Sequence, residues 1–292
     1  MSALSSAPRL RAVPDTLSSR APEHDEHRGR GTRLIRAIEA VDHFPMLADA
    51  RERVLTAAAR DSAEPLVEAA ESDVALALAV LRRANAGRRP KDAIASVRKA
   101  VEALGPAGVA ELARELPSSD FFQRASRFGT SVDSVRLHAV AVKRIAARLA
   151  MVLDRDDRDA LVIVALLHDV GKLVLCHAVP EYPDELLHAA DTPDARVRAE
   201  RAALGFDHAT VGAVVARRAG LPPRIATAIE THHREGGTGP AAVVRLADML
   251  AHYATGRPVG PRSMLAAAAD LGLHTAALRE VMYEMPAAGA GA

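Results

Sequence analysis

The chain has no tryptophan, and tyrosine and phenylalanine supply only 3% of its 292 residues. The stacking platforms on which single-stranded nucleic acids are held are therefore missing, and the core must be aliphatic. A single cysteine, Cys176, rules out an intramolecular disulfide framework and places the chain in a reducing setting; beside apolar neighbours it reads as a packing residue. Charge of one sign is missing too. Thirty-eight Lys and Arg against 37 Asp and Glu leave a net charge of +1, which gives no general electrostatic footprint for nucleic acid or an anionic membrane. The longest unbroken aliphatic run, 161–167, is far too short to span a bilayer, and the N-terminus carries no charged-then-apolar signal pattern. A cytoplasmic protein with no membrane partner is expected.

Apolar residues are abundant, at 49%, enough for a sizeable core. Residues 1–30 are rich in Ser, Pro, Arg, Glu and His without periodicity and read as a disordered tail, as do 287–292. Between them the apolar period is helical almost throughout, which predicts an all-α fold. Val74, Leu78 and Leu81 form one stripe, and Val97, Val101 and Leu104 another that Gly105-Pro106 interrupts. Helices are expected at about 106–115, 132–153, 157–169, 208–219, 223–233, 240–254 and 275–285. Asp207 is placed to cap one of them, and Gly220 with Pro222-Pro223 separates two others. A shift in composition at 117–130 divides an N-terminal helical part, 31–125, from a C-terminal one, 126–286, read as two packed subdomains of one unit.

The placement of polar residues on these stripes carries the chemistry. His138 continues into Val142, Ile145, Leu149 and Val152 at spacings of four and three; His168 shares a face with Leu161, Val164 and Ala165. His208 aligns with Val211 and Val215, His232 with Ile225 and Ile229, and Asp248 with Val244 and Ala251, while His233 directly follows His232. Each is expected to point inward, where an unpartnered imidazole or carboxylate costs on the order of 1–3 kcal/mol. A hydrogen-bonded core histidine, a first-turn histidine at 208 or a capping carboxylate at 248 accounts for any one of them alone. The series on five successive helices points instead to divalent metal, for which neutral imidazole and carboxylate are the ligands. In the segment 166–172, Leu-Leu-His-Asp-Val-Gly-Lys, Gly171 is expected to end or bend the helix and expose Lys172 at the mouth of the site, as a point charge for a phosphate. An ordinary lysine at a helix C-terminus is the other reading of Lys172.

That segment resembles the defining motif of the HD superfamily of metal-dependent phosphohydrolases. Gly205-Phe206-Asp207-His208, Val211-Gly212, Leu221-Pro222 and Thr231-His232-His233 resemble later markers of the HDOD signalling proteins within it. Phe44-Pro45-Met46-Leu47, Glu71-Ser72-Asp73, 81–85 and 96–105 are similar to the first helices of an HDOD unit, so the likeness covers about 33–255. It implies an all-helical fold and a role in signal transduction. It also implies ligand roles for His138, His168, Asp169 and Asp248, with His208, His232 and His233 matching positions that complete the site of the related HD-GYP phosphodiesterases. Two divalent ions follow, iron or manganese, with magnesium, zinc or nickel as alternatives; Asp169 would bridge them and Lys172 would bind the substrate phosphate. The expected substrate is a nucleotide-type phosphoester. The chain departs from HD-GYP in two places: no Tyr follows the paired histidines in 233–240, and Ser134 stands one turn before His138 where three-metal variants carry a carboxylate. Two ions are therefore expected rather than three. The competing expectation is a non-catalytic HDOD module that binds a protein partner or nucleotide. DNA binding through the Arg82-Arg83 and Arg88-Arg89 patch is disfavoured by the near-zero net charge.

Overall fold

A computed structural model describes residues 21–41, 44–60, 62–119, 129–179, 182 and 192–285, with side chains from residue 31 in the first segment and 132 in the fourth. The expected all-α class is observed: among the described residues the only strands are two-residue segments, β1 (Met46–Leu47) and β2 (Ser118–Ser119), paired in parallel with Met46 opposite Ser118.

The N-terminal part runs α1 (Ala21–Ala40), α2 (Ala48–Ala59), α3 (Ala63–Ala70), α4 (Val74–Asn85) and α5 (Val97–Glu115). Helix α1 begins inside the stretch read from composition as tail, so residues 21–30 are helical; 1–20 and 287–292 lie outside the described residues. Helix α4 is buried nearly all round, which its continuous Ala, Val and Leu content dictates. Its cap is Asp73, which accepts from the Leu76 backbone N–H at 2.9 Å and from Leu47 N–H at 3.0 Å, tying β1 to the helix start. The break foreseen at Gly105-Pro106 is a kink inside α5: Gly105 has φ +69°, a region costly for any residue with a side chain.

The C-terminal part runs α6 (Gly129–Val152), α7 (Arg158–Leu167), α8 (Val170–Ala178), α9 (Pro193–Leu204), α10 (His208–Arg218), α11 (Pro223–Thr231), α12 (Gly239–Ala254), α13 (Pro261–Asp270) and α14 (Thr275–Glu284). Helix α7 is central, packed against α6, α11 and α12, while α10 packs between α8 and α11. One continuous aliphatic core extends from Ala37 to Val281 and takes in both parts of the chain. The stretch Arg158–Ala178 has the length and composition to cross a membrane, but 83% of its apolar window is buried inside this core.

The single helix expected over 157–169 is two helices. Helix α7 stops at Leu167 and α8 starts at Val170, leaving His168 and Asp169 at the joint. Gly171 does not terminate a helix as the sequence reading expected. It lies inside α8, where a Cβ would fall 1.9 Å from the His208 carbonyl oxygen and 2.9 Å from the Gly212 N. Its lack of a side chain is what lets the backbones of α8 and α10 touch.

Candidate metal centre

Every stripe that was expected to carry its polar residue inward does so. Val142, Ile145 and Leu149 are buried on α6 below His138; Val211 and Val215 on α10, Ile225 and Ile229 on α11, and Val244 and Ala251 on α12 do the same for their helices. His168, His208 and His232 are fully buried, and Asp169 and Asp248 nearly so. Asp207 caps α10 as expected, accepting from Thr210 N–H at 2.8 Å, and so places His208 as the first helical residue. His232 and His233 directly follow the end of α11.

These side chains converge. Donor atoms of Asp169, His208, His232 and His233 all lie within 4.8 Å of one another, as do those of His138, His168 and Asp169. Asp169 belongs to both sets. Its Oδ1 lies 3.2 Å from His208 Nε2, whereas its Oδ2 lies 3.4 Å from His168 Nε2 and 3.9 Å from His138 Nε2. Asp248 Oδ1 closes the second set, 2.8 Å from His138 Nε2 and 3.9 Å from His168 Nε2. A carboxylate that presents one oxygen to each of two imidazole groups has the disposition of a bridging ligand.

The outward-facing ring nitrogens fix which atoms face the centre. Nδ1 of His168 lies 2.7 Å from the Ala165 carbonyl and Nδ1 of His232 lies 2.6 Å from the Ile229 carbonyl. A carbonyl only accepts, so Nδ1 must carry the proton, and in the neutral ring Nε2 then bears a lone pair. Nδ1 of His208 is held in the same way by Glu200 Oε2 at 2.7 Å. Nε2 of His168, Nε2 of His232 and Oδ1 of Asp169 are buried without a hydrogen-bond partner. Electron-rich atoms left unsatisfied in both donor sets are what divalent cations correct, and this donor chemistry fits them.

The ionisation states of five of these groups agree with that role, while Glu200 and Asp169 outweigh burial and raise the His208 ring. Burial lowers the His138 ring to about 4 and the His232 ring to about 3, and burial with the neighbouring His232 and His208 holds His233 well below its ordinary value. These three rings are neutral, ligand-ready bases at pH 7. Burial alone would raise the Asp169 and Asp248 carboxyls, but it is outweighed. His168 and Lys172 hold Asp169 well below the carboxylate range, and His252 and His138 do so for Asp248.

Lys172 departs from expectation. It is 2% exposed, not displayed at a mouth, and its Nζ pairs with Asp169 Oδ2 at 2.5 Å. The cause is the resumption of helix at Val170, which sets Lys172 one turn above Asp169 on the buried face of α8. Sequence reasoning also missed Glu200, Tyr182 and His252. Glu200 is fully buried and accepts from the Tyr182 hydroxyl at 2.6 Å as well as from His208. His252 sits one turn beyond Asp248 on the same face of α12, its Nε2 3.3 Å from Asp248 Oδ1; the four-residue spacing was the available signal. A cavity of about 470 Å³ opens beside His233, with Arg198, Arg201 and Arg234 and the carboxylates of Asp194, Asp207, Glu230 and Glu235 among its lining residues.

Comparison with known proteins agrees with this architecture. The chain resembles the crystal structure of the MmoQ response regulator from Methylococcus capsulatus str. Bath, with 25% identity over 83% of this chain and 99% of that one and a TM-score of 0.62. A second structure of the same regulator gives 26% identity over 80% and 92%, with a TM-score of 0.60. A virulence factor from Campylobacter jejuni subsp. jejuni shares the fold, with 16% identity over 87% of this chain and 92% of that one and a TM-score of 0.63. No curated protein matches the chain. Residues 44–235 match the HDOD domain, a segment that holds every expected ligand except Asp248. By that match, which covers well over half its length, the chain belongs to the HDOD domain family.

Proposed function

We propose that this protein is a metal-dependent phosphohydrolase that acts on a nucleotide-type phosphoester in bacterial signal transduction, in the cytoplasm. The observation that carries the reading is Asp169, with one oxygen turned to His208 and the other to His168 and His138. Divalent ions at such a centre supply Lewis acidity toward a phosphoryl oxygen and lower the pKa of water. His138, His168 and Asp248 would hold one ion with Asp169, and His208, His232 and His233 the other. Iron or manganese suits this mixture of nitrogen and oxygen donors.

The protein's own groups do the remaining work. Lys172 sets a fixed positive charge beside the centre, which favours the negative charge that gathers on non-bridging phosphate oxygens. Arg198 and Arg234 at the cavity beside His233, where Arg201 is taken up by Asp207, would give an anionic ester an approach to the second donor set. The signalling assignment draws on the likeness to a response regulator. The Arg82–Arg89 patch gives no support to a nucleic-acid partner: Arg83 pairs with Glu115 and Arg89 with Asp92 at the surface.

A non-catalytic regulatory HDOD module that binds a protein partner is the second reading, and the depth of the site favours it: His168, Asp169, His208 and His232 are each at most 1% exposed. Assays of manganese- or iron-loaded protein against cyclic dinucleotides and bis(p-nitrophenyl) phosphate separate the two. Turnover abolished by His168→Ala and Asp169→Ala, with helical content retained, supports the enzyme. Metal binding without turnover of any phosphoester supports the module.

A further inference from the structure

His252 is not among the ligands that the HDOD resemblance implies, and it lies beyond the segment that matches the family. It is nevertheless 4% exposed, and its Nε2 is buried without a hydrogen-bond partner. That nitrogen is 3.3 Å from Asp248 Oδ1, and its ring centre is 4.4 Å from that of His138. Donor atoms of His138, Asp248 and His252 fall within 4.8 Å of one another, which makes a third donor set overlapping the second at His138.

The overlap decides what the third set can be. His138 is turned to the centre through Nε2 alone, and one ring nitrogen has one lone pair for one ion. The set of His138, Asp248 and His252 is therefore not an independent site for another cation. It shares His138 with the set that His168 and Asp169 begin, and can complete that set. At metal–ligand bonds of about 2.1 Å, neighbouring donors of a six-coordinate ion stand about 3 Å apart and opposite donors about 4.2 Å apart. Of the ten separations among these five donors, His138–Asp248, His252–Asp248, Asp169–His168, His168–Asp248 and His138–Asp169 run from 2.8 to 3.9 Å, in or near that interval, and His252 also has its donor within 4.8 Å of that of His138.

We propose that His252 is a fifth protein ligand of the ion held by His138, His168, Asp169 and Asp248. That ion then has three imidazoles, two carboxylates and one remaining position. It is a high-coordination site, suited to manganese or ferrous ion rather than to tetrahedral zinc. The ion at His208, His232, His233 and the shared Asp169 has four protein ligands, keeps the open positions, and faces the cavity beside His233. This assignment rests on the two-ion reading of the site.

The test is manganese binding by the full chain, followed by calorimetry and by electron paramagnetic resonance, with His252→Phe as the variant. Phenylalanine keeps a ring packed against His138 but has no lone pair. The wild type is expected to take up two equivalents, and His252→Phe to bind one of them at least 10-fold more weakly while the other is unchanged. Identical binding by the two proteins overturns the proposal and leaves the two-ion reading standing. A wild type that binds no manganese overturns both. If His252→Phe does not fold, anomalous diffraction from manganese-loaded wild-type crystals decides: His252 Nε2 at about 2.2 Å from an ion is the expected result, and a ligated ion with His252 outside bonding distance is the contrary one.

Discussion

Glu200 and His208 are joined twice through one carboxylate oxygen, which lies 2.7 Å from the His208 ring Nδ1 and 2.8 Å from the His208 backbone N. Both nitrogens donate, so the imidazole is fixed in tautomer and in rotation with Nε2 toward Asp169. A carboxylate behind a histidine also makes it a better metal ligand. Substituting Glu200→Gln is expected to weaken divalent-ion binding by about 10- to 100-fold. Isothermal titration with manganese checks this, and unchanged affinity would mean that Glu200 only fills space.

Gly171 predicts a packing defect. In Gly171→Ala the new methyl would meet the His208 carbonyl, so α8 and α10 must separate. A loss of about 1–3 kcal/mol is expected from overpacking a close backbone contact, read as a lower denaturation midpoint. Because the displaced residue carries a proposed ligand, metal affinity should fall with it.

Much of this site could be read from the residues. Histidines on apolar stripes point inward because the stripe does, and for that reason His138, His208 and His232 were legible one helix at a time. The convergence of five helices was inferred from the cost of burying those groups, and the structure brings His138, His168, His208, His232, His233 and Asp248 into overlapping clusters around Asp169 and His138. What local pattern could not give were features decided by packing between helices. Gly171 looked like a helix terminator because its partner, the His208 carbonyl, is far away in sequence. Lys172 looked exposed because it follows that glycine. Glu200 lies on α9, an Arg- and Ala-rich helix with no apolar stripe to mark an inward face. Helices α2, α3 and α13 were not marked out either, being short and alanine-rich.

Lys172 is expected to matter most when metal is absent. Its ammonium is the cation facing Asp169, and removing one partner of a buried pair costs about 3–5 kcal/mol. Lys172→Met should therefore destabilise the metal-stripped protein strongly and the manganese-loaded protein much less, since an ion supplies the missing charge. Chemical denaturation of both forms tests this; equal losses would show that Asp169 and the ion do not interact.

Acid should unfold the metal-stripped protein early. The unfolded His138, His232 and His233 rings titrate near 6.5, while in the fold they stay neutral down to about 4, about 3 and well below ordinary, respectively. As pH falls from 6.5 toward 4 the unfolded chain binds the extra protons, so stability drops by up to about 1.4 kcal/mol per pH unit for each ring. His208 acts in the opposite sense: burial lowers its ring, but Glu200 and Asp169 outweigh this and raise it. One ring against three leaves a net loss. Thermal melts across this range should show a falling Tm, and a flat profile would contradict the burial of these rings as neutral bases.

The most direct test of the whole account is elemental analysis of the protein purified without oxygen, beside His168→Ala and Asp169→Ala. The account predicts about two first-row divalent ions per chain in the wild type, with loss of one or both in each variant and the helical signal kept. A folded wild type that holds no ion, even after incubation with manganese or ferrous iron, would contradict it.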